Sequence, residues 1–68
     1  MKTRYDPDAD AMYVTLKKSD VEKTIELDEN VIIDLDASGE IIGIEILFVK
    51  ERNPEILKAF KVKEAVSA

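Results

Sequence analysis

The sequence predicts an α+β fold, an antiparallel β-meander of four to five strands with one C-terminal amphipathic helix packed on one face. The first observation is that short apolar–polar alternations are separated by turns rich in Asp, Asn, Gly and Pro, as in antiparallel sheets. The second is that the hydrophobic period changes near residue 53 from two to about 3.6. The third is length, since 68 residues are too few for two cores. We therefore expect a single small domain over 1–68, with the meander in about 1–49 and the helix in about 54–65.

The first two predicted strands flank an Asp-rich turn. Residues 2–6 are short and stop at Pro7, and residues 6–10 read Asp-Pro-Asp-Ala-Asp. Proline fixes φ and Asp side chains accept hydrogen bonds from nearby amides, so this segment predicts a tight connection. Residues 11–16 then alternate and complete a first hairpin, with one face formed by Met12, Val14 and Leu16.

The next two predicted strands differ in how much of them can be buried. Residues 21–27 alternate imperfectly and carry Lys23 among the apolar positions, which is typical of a strand near an edge. Residues 31–35 are mostly apolar. The Asp-Ala-Ser-Gly segment at 36–39 predicts a type I turn with Gly39 in a left-handed conformation.

The last predicted strand, residues 40–49, is apolar on both faces. One helix of about 12 residues is about 18 Å long and cannot cover a sheet of about 24 Å. We therefore expect a second copy or another protein to cover part of the sheet. The expected interface comprises Ile41, Ile42, Ile44, Ile46, Leu47, Phe48 and Val49.

The C-terminal segment begins with a helix start signal. Asn53 can cap, Pro54 suits the first helical position, and Glu55 suits the positive end of the helix dipole. Ile56, Leu57 and Phe60 follow helical spacing, which predicts one helix from about Pro54 to Ala65.

Composition narrows the possible functions. The chain has ten Lys or Arg against fifteen Asp or Glu, a net charge of −5, and neither His nor Cys. Imidazole and thiolate chemistry are therefore absent, and we expect no cofactor and no enzymatic activity. An acidic domain disfavours nucleic acid, and no apolar run is long enough for a membrane span or a signal peptide. We expect a cytoplasmic protein that forms a homodimer or binds a small basic protein.

Two clusters of acidic residues raise the alternative of a divalent-cation-binding module. Asp6, Asp8 and Asp10 form one, and Asp34 with Asp36 forms the other, in EF-hand spacing with Ser38, Gly39 and Glu45. The surrounding segments have strand rather than helix patterns, so capped turns and a β-hairpin are the favoured interpretation. These five Asp residues remain weak candidates for metal ligands.

The sequence also predicts the surroundings of four further residues. Tyr5 and Tyr13 should pack their rings and expose their hydroxyls. Gly43 should mark a bulge or a close packing contact. Glu45 interrupts the most apolar strand, so we expect it to face solvent or pair with a cation such as Arg4. A third alternative is an oligomeric carboxylate enzyme with Glu45 or Asp10 as the reacting group.

Two segments carry a family resemblance. Residues 5–14 read Tyr-Asp-Pro-Asp-Ala-Asp-Ala-Met-Tyr-Val, and residues 39–47 read Gly-Glu-Ile-Ile-Gly-Ile-Glu-Ile-Leu. Both segments, at this spacing, resemble the signatures of a small prokaryotic family known as domain of unknown function 2283. The resemblance implies a small β-rich fold without an established activity, and an antitoxin-like role beside small toxin-like proteins. The matching motif positions are Tyr5, Asp6, Pro7, Ala9, Asp10, Tyr13, Gly39, Gly43 and Glu45.

Overall fold

A computed structural model, which describes residues 1–60, has five strands followed by two short helices. The elements are β1 (Lys2–Asp6), β2 (Ala11–Thr15), β3 (Lys23–Asp28), β4 (Val31–Leu35), β5 (Ile41–Leu47), α1 (Val49–Arg52) and α2 (Glu55–Phe60). Within this part of the chain, no helix is long and apolar enough to cross a membrane.

The five strands form one fully antiparallel sheet in the order β1-β2-β5-β4-β3. The meander prediction is therefore wrong in strand order, because β5 lies between β2 and β4 while β3 lies at the far edge. The physical reason is polarity. A strand that is apolar on both faces fits the centre, whereas a strand with Lys23 and several acids fits an edge. The predicted edge position of residues 21–27 is confirmed.

Strand pairing sorts the side chains onto two faces. Val14 pairs with Ile44, which pairs with Ile33, and these residues share the face that we call the helix face. The opposite face carries the row that includes Tyr13 and Glu45. Register shifts occur between Glu26 and Asp28 and between Asp34 and Leu35.

The core lies on the helix face. Tyr5, Met12, Val14 and Val49 are buried there, and Met12 is 0 % exposed. Partly buried apolar side chains from β5 and α2 pack against them, namely Ile44, Ile46, Ile56 and Leu57. The C-terminal segment therefore contributes to the core mainly through Val49, which precedes the predicted helix.

The helix predicted from about Pro54 is present as α2, whereas α1 was not predicted: it replaces the end of the predicted strand 40–49 and is capped by Asn53. This residue ends α1 by donating its backbone N–H to the Val49 carbonyl, 2.8 Å away. Its φ and ψ of −145° and 67° leave the helical region, as expected before Pro54. Phe48, with φ of 57°, turns the chain from β5 into α1. Residues 61–65 of the predicted helix lie outside the described residues.

Candidate interaction surface

The Asp10 side chain ties the first turn to the start of α1. Its carboxylate accepts hydrogen bonds from the Tyr5 hydroxyl (2.6 Å) and from the backbone amides of Lys50 (2.8 Å) and Glu51 (3.2 Å). Its carbonyl also accepts the Val49 amide at 3.1 Å. These donors, led by the Tyr5 hydroxyl, lower the pKa of Asp10. We call this arrangement the Asp10 latch. The carboxylate accepts hydrogen bonds from amides that have no partner within the first turn of the helix. The sequence analysis did not predict this contact because the partners are 40 residues apart.

The other two carboxylates of the first acidic cluster do not join Asp10. Asp6 accepts the backbone amides of Asp8 (2.9 Å) and Ala9 (3.4 Å), which is the predicted capped turn, and Asp8 is exposed. Among residues 1–60, no group of three acidic side chains is placed to hold a metal ion. The cation-binding alternative stays a prediction.

Asp36 organises the turn between β4 and β5. One of its oxygens accepts the Ser38 amide (2.9 Å), the Ser38 hydroxyl (2.7 Å) and the Glu40 amide (3.0 Å). The other lies 3.4 Å from Lys17 Nζ. These interactions, with the Ser38 hydroxyl foremost, lower the pKa of Asp36 to about 2. The predicted hairpin is confirmed, with Gly39 at φ of 89°.

A hydrogen-bonded row crosses the opposite face from β2 to β3. The Tyr13 hydroxyl donates to Asp34 at 2.6 Å, and the Thr24 hydroxyl donates to the other Asp34 oxygen at 2.8 Å. Tyr13 reaches Asp34 by lying directly over Gly43, where a Cβ would collide with the phenol. The bond to Asp34 is the main reason that the pKa of Tyr13 rises to about 12. The predicted close contact at Gly43 is confirmed.

The expectation for the two tyrosine hydroxyls is wrong. Both donate to carboxylates, Tyr5 to Asp10 and Tyr13 to Asp34, because each ring packs where water access is restricted and a polar tip needs a partner. Local sequence could have suggested only the first pair, which is separated by five residues.

Glu45 lies half-exposed on the opposite face, in one row with Arg4. Tyr13 occupies the position between them, so the suggested Arg4–Glu45 pairing is not between neighbouring strands. The Glu45 charge contributes to the raised pKa of Tyr13.

The predicted interface residues divide into two groups. Ile42 and Val49 are buried within the chain itself, and Ile44 and Ile46 pack against its core. Leu47 is half-exposed, whereas Ile41 (45 %) and Phe48 (38 %) are exposed. The central place of β5 therefore accounts for much of its apolar character without a partner.

Apolar surface is instead left around β3 and β4. Every residue of β4 is half-exposed, including Val31, Ile33 and Leu35. Ile25 on β3 is half-exposed, and Leu27 at the bulge is 66 % exposed. We call these five side chains the β3–β4 surface. The sequence analysis missed this surface because it expected the interface on the last strand, which is apolar on both faces.

Charge is concentrated beside that surface. Residues 20–29, which include β3, hold five acids and one lysine. Their net charge of −4 leaves only −1 for the remaining residues. Of these charged groups, Glu29 pairs with Arg52 of α1 at 2.9 Å. The β3 edge is thus the acidic end of the sheet.

Comparisons with known proteins identify one family. The family model described as "Protein of unknown function (DUF2283)" matches residues 2–50, which covers the sheet and the start of α1. No curated protein and no solved structure matches the chain.

Proposed function

Because the chain belongs to the DUF2283 family of proteins of unknown function, whose description assigns no activity, we propose a function from its surface. We propose that it is a non-enzymatic protein-interaction module that self-associates through β3 and the β3–β4 surface. The single observation behind this proposal is that Tyr5, Met12 and Val14 of β1 and β2 are buried in the core that includes Val49, while every residue of β4 stays half-exposed.

Two physical arguments support self-association. Edge strands expose backbone donors and acceptors that readily pair with another chain, and β3 is an edge with five of its six residues exposed. A domain of this length also buries too little surface for a large stability margin. Covering Ile33, Leu35 and Leu27 would supply further burial.

The test compares two exposed apolar positions. Leu27→Lys places a charge in the β3–β4 surface, and Ala37→Lys adds the same charge at an exposed position in the turn between β4 and β5. Multi-angle light scattering across a concentration series should show an oligomer for the unsubstituted chain and for Ala37→Lys, and a monomer for Leu27→Lys. A monomeric unsubstituted chain at every concentration would refute the proposal.

A second candidate is binding of a small basic protein in an antitoxin-like role. The acidic β3 edge favours it, because opposite charges steer association. The chain, tagged and expressed in its host at native level, should then retain a stoichiometric basic protein that high salt removes. Retention of nothing but further copies of the chain would contradict this second candidate.

A further inference from the structure

The two edges of the sheet carry opposite charge. The β3 edge has the net charge of −4 described above, with Glu22 and Glu26 both exposed. At the other edge, β1 exposes two cations, Lys2 and Arg4, and one acid, Asp6. A shallow hollow next to β1 is lined by Met1, Lys2, Thr15, Leu16, Lys17 and Lys18. The sheet is thus acidic along one edge and basic at the other.

We propose that copies of this chain associate head to tail, the acidic β3 edge of one copy pairing with the basic β1 edge of the next. This inference rests on the proposed function and specifies which surface meets β3. Charge complementarity identifies the partner of the β3 edge as a second copy, because a basic edge strand that can pair with an acidic one is present in the same chain.

Strand directions permit this arrangement. All four pairings are antiparallel, so β1 and β3, the first and fifth strands across the sheet, run in the same direction. A copy displaced along the sheet therefore lays its β1 parallel to β3 of its neighbour, with the same face upward. Parallel ladders are slightly weaker per residue than antiparallel ones. The charged side chains therefore contribute a larger share of the binding free energy.

One register joins opposite charges on one face of the sheet. Arg4 pairs with Tyr13, and Glu26 pairs with Ile32, so both lie on the opposite face. Setting Arg4 beside Glu26 sets Thr3 beside Ile25 on the helix face. The helices of the second copy then lie on the same side as the β3–β4 surface of the first, next to the part that its own helices leave half-exposed.

Two-fold association through like edges is disfavoured by the same charges. Pairing β3 with β3 would bring net charges of −4 together, and pairing β1 with β1 would bring Lys2 and Arg4 against their copies. A head-to-tail contact does not close on two subunits; it continues into a ring or an open array. The twist of the sheet would turn an open array into a helix.

The experiment uses charge-swapped variants of the full chain. Lys2→Glu with Arg4→Glu makes β1 acidic, and Glu22→Lys with Glu26→Lys changes the net charge of residues 22–28 from −2 to +2. Sedimentation velocity of the unsubstituted chain should give masses that rise with concentration beyond a dimer. Raising NaCl from about 50 mM to about 500 mM should weaken assembly by about tenfold, because exposed charges are screened.

Each charge-swapped variant alone should be monomeric, and an equimolar mixture of the two should assemble again. The controls carry the same changes in net charge away from both edges, Lys50→Glu with Lys58→Glu and Asp8→Lys with Glu55→Lys, and should assemble like the unsubstituted chain. Circular dichroism confirms folding of each variant. Lys2→Gln with Arg4→Gln replaces the first variant if that one fails to fold, and should still weaken assembly.

The results separate this inference from the proposed function. Assembly of the β1 variant like the unsubstituted chain, or growth that stops at a dimer, overturns the head-to-tail contact and leaves self-association standing. A mixture that remains monomeric also overturns it. An unsubstituted chain that is monomeric throughout refutes both.

Discussion

The two halves of the sheet contain similar apolar residues and differ in how these are buried. On β1 and β2, Tyr5, Met12 and Val14 are no more than 4 % exposed. On β4, Val31, Ile33 and Leu35 remain half-exposed although they are no less hydrophobic. The difference lies in the position of the C-terminal segment, whose Val49, Ile56 and Leu57 side chains pack with the first half. Burial in this domain is thus decided by where the C-terminal segment is attached.

The Asp10 latch is the attachment. It binds the start of α1 to the β1–β2 turn, directly beside Tyr5 and on the side of the sheet away from β3. The six-residue α2 follows within a few residues, so its reach is limited. The same carboxylate therefore holds the start of α1 beside the first half of the sheet, and β4 stays half-exposed.

The largest expected difference between the halves is in stability. Met12→Ala should lower the free energy of unfolding by about 2–5 kcal/mol, because it leaves a cavity among fully buried side chains. Leu27→Ala, at a 66 % exposed position, should change it by about 0.5 kcal/mol or less in the monomer. Urea unfolding at low protein concentration measures both. Equal losses would mean that the β3–β4 surface is as well packed as the core.

Removing the Asp10 latch should have the next largest effect. Asp10→Ala leaves the Tyr5 hydroxyl and the Lys50 and Glu51 amides without this acceptor, which should cost about 1–3 kcal/mol. Hydrogen exchange should show faster exchange at Lys50 and Glu51 than at the amides of β5. Asp8→Ala, in the same turn but exposed, is the matched control and should leave both readouts unchanged. Unaltered protection in Asp10→Ala would show that packing alone holds the helices.

Gly43→Ala tests the polar row that links the two halves. The added methyl group would displace the Tyr13 phenol, at a cost of about 1–3 kcal/mol for overpacking. Its distinguishing effect is on titration, since loss of the Asp34 bond should return the pKa of Tyr13 from about 12 towards its ordinary value of 10.0. Tyrosinate absorbance in a Tyr5→Phe background isolates this group. A pKa that stays near 12 would show that Tyr13 reaches Asp34 by another path.

In the unsubstituted chain, the loss of stability at alkaline pH should depend on ionisation of Tyr13. The pKa of Tyr13 is higher in the folded state than its ordinary value. Its stabilising contribution is therefore complete below pH 10 and is lost as the pH rises towards about 12. Tyr13→Phe cannot ionise at this position, so its stability should not show this decline. An equal decline in both proteins would mean that another group causes it.

Acid should have a smaller effect, at the turn that joins β4 to β5. The pKa of Asp36 is about 2 in the folded state, against 3.8 for an ordinary Asp. As the pH falls, the unfolded chain binds this proton first. The stabilisation is therefore complete above about pH 4 and is lost progressively towards about pH 2. Urea midpoints of Asp36→Asn, which has no carboxylate at this position, should fall less steeply over that interval, and equal slopes would contradict the prediction.

Local structure could be predicted because its causes are local. The Asp6 and Asp36 turns and the left-handed Gly39 follow from side chains that act within four residues. The edge character of β3 followed from Lys23 and its acidic neighbours. The DUF2283 resemblance was confirmed over residues 2–50.

Long-range partners could not be predicted in this way. Asp10 and Asp34 were considered as candidate metal ligands, whereas they accept hydrogen bonds from donors 40 and 21 residues away. The expected interface on β5 contained Ile42 and Val49, which the chain itself buries. In each case the residue type indicated an important position, but the sequence did not identify the residue that it contacts.

The sequence by itself therefore determined which segments form strands, which side-chain chemistry is missing and how charge is distributed along the chain. Only the tertiary structure decided that β5 inserts between β2 and β4, that Asp10 anchors the helices over one half of the sheet, and that the acidic and basic strands occupy opposite edges. The physical reason is that turns and strand periodicity depend on neighbouring residues, whereas strand order and helix placement depend on burial and hydrogen bonding summed over the whole chain.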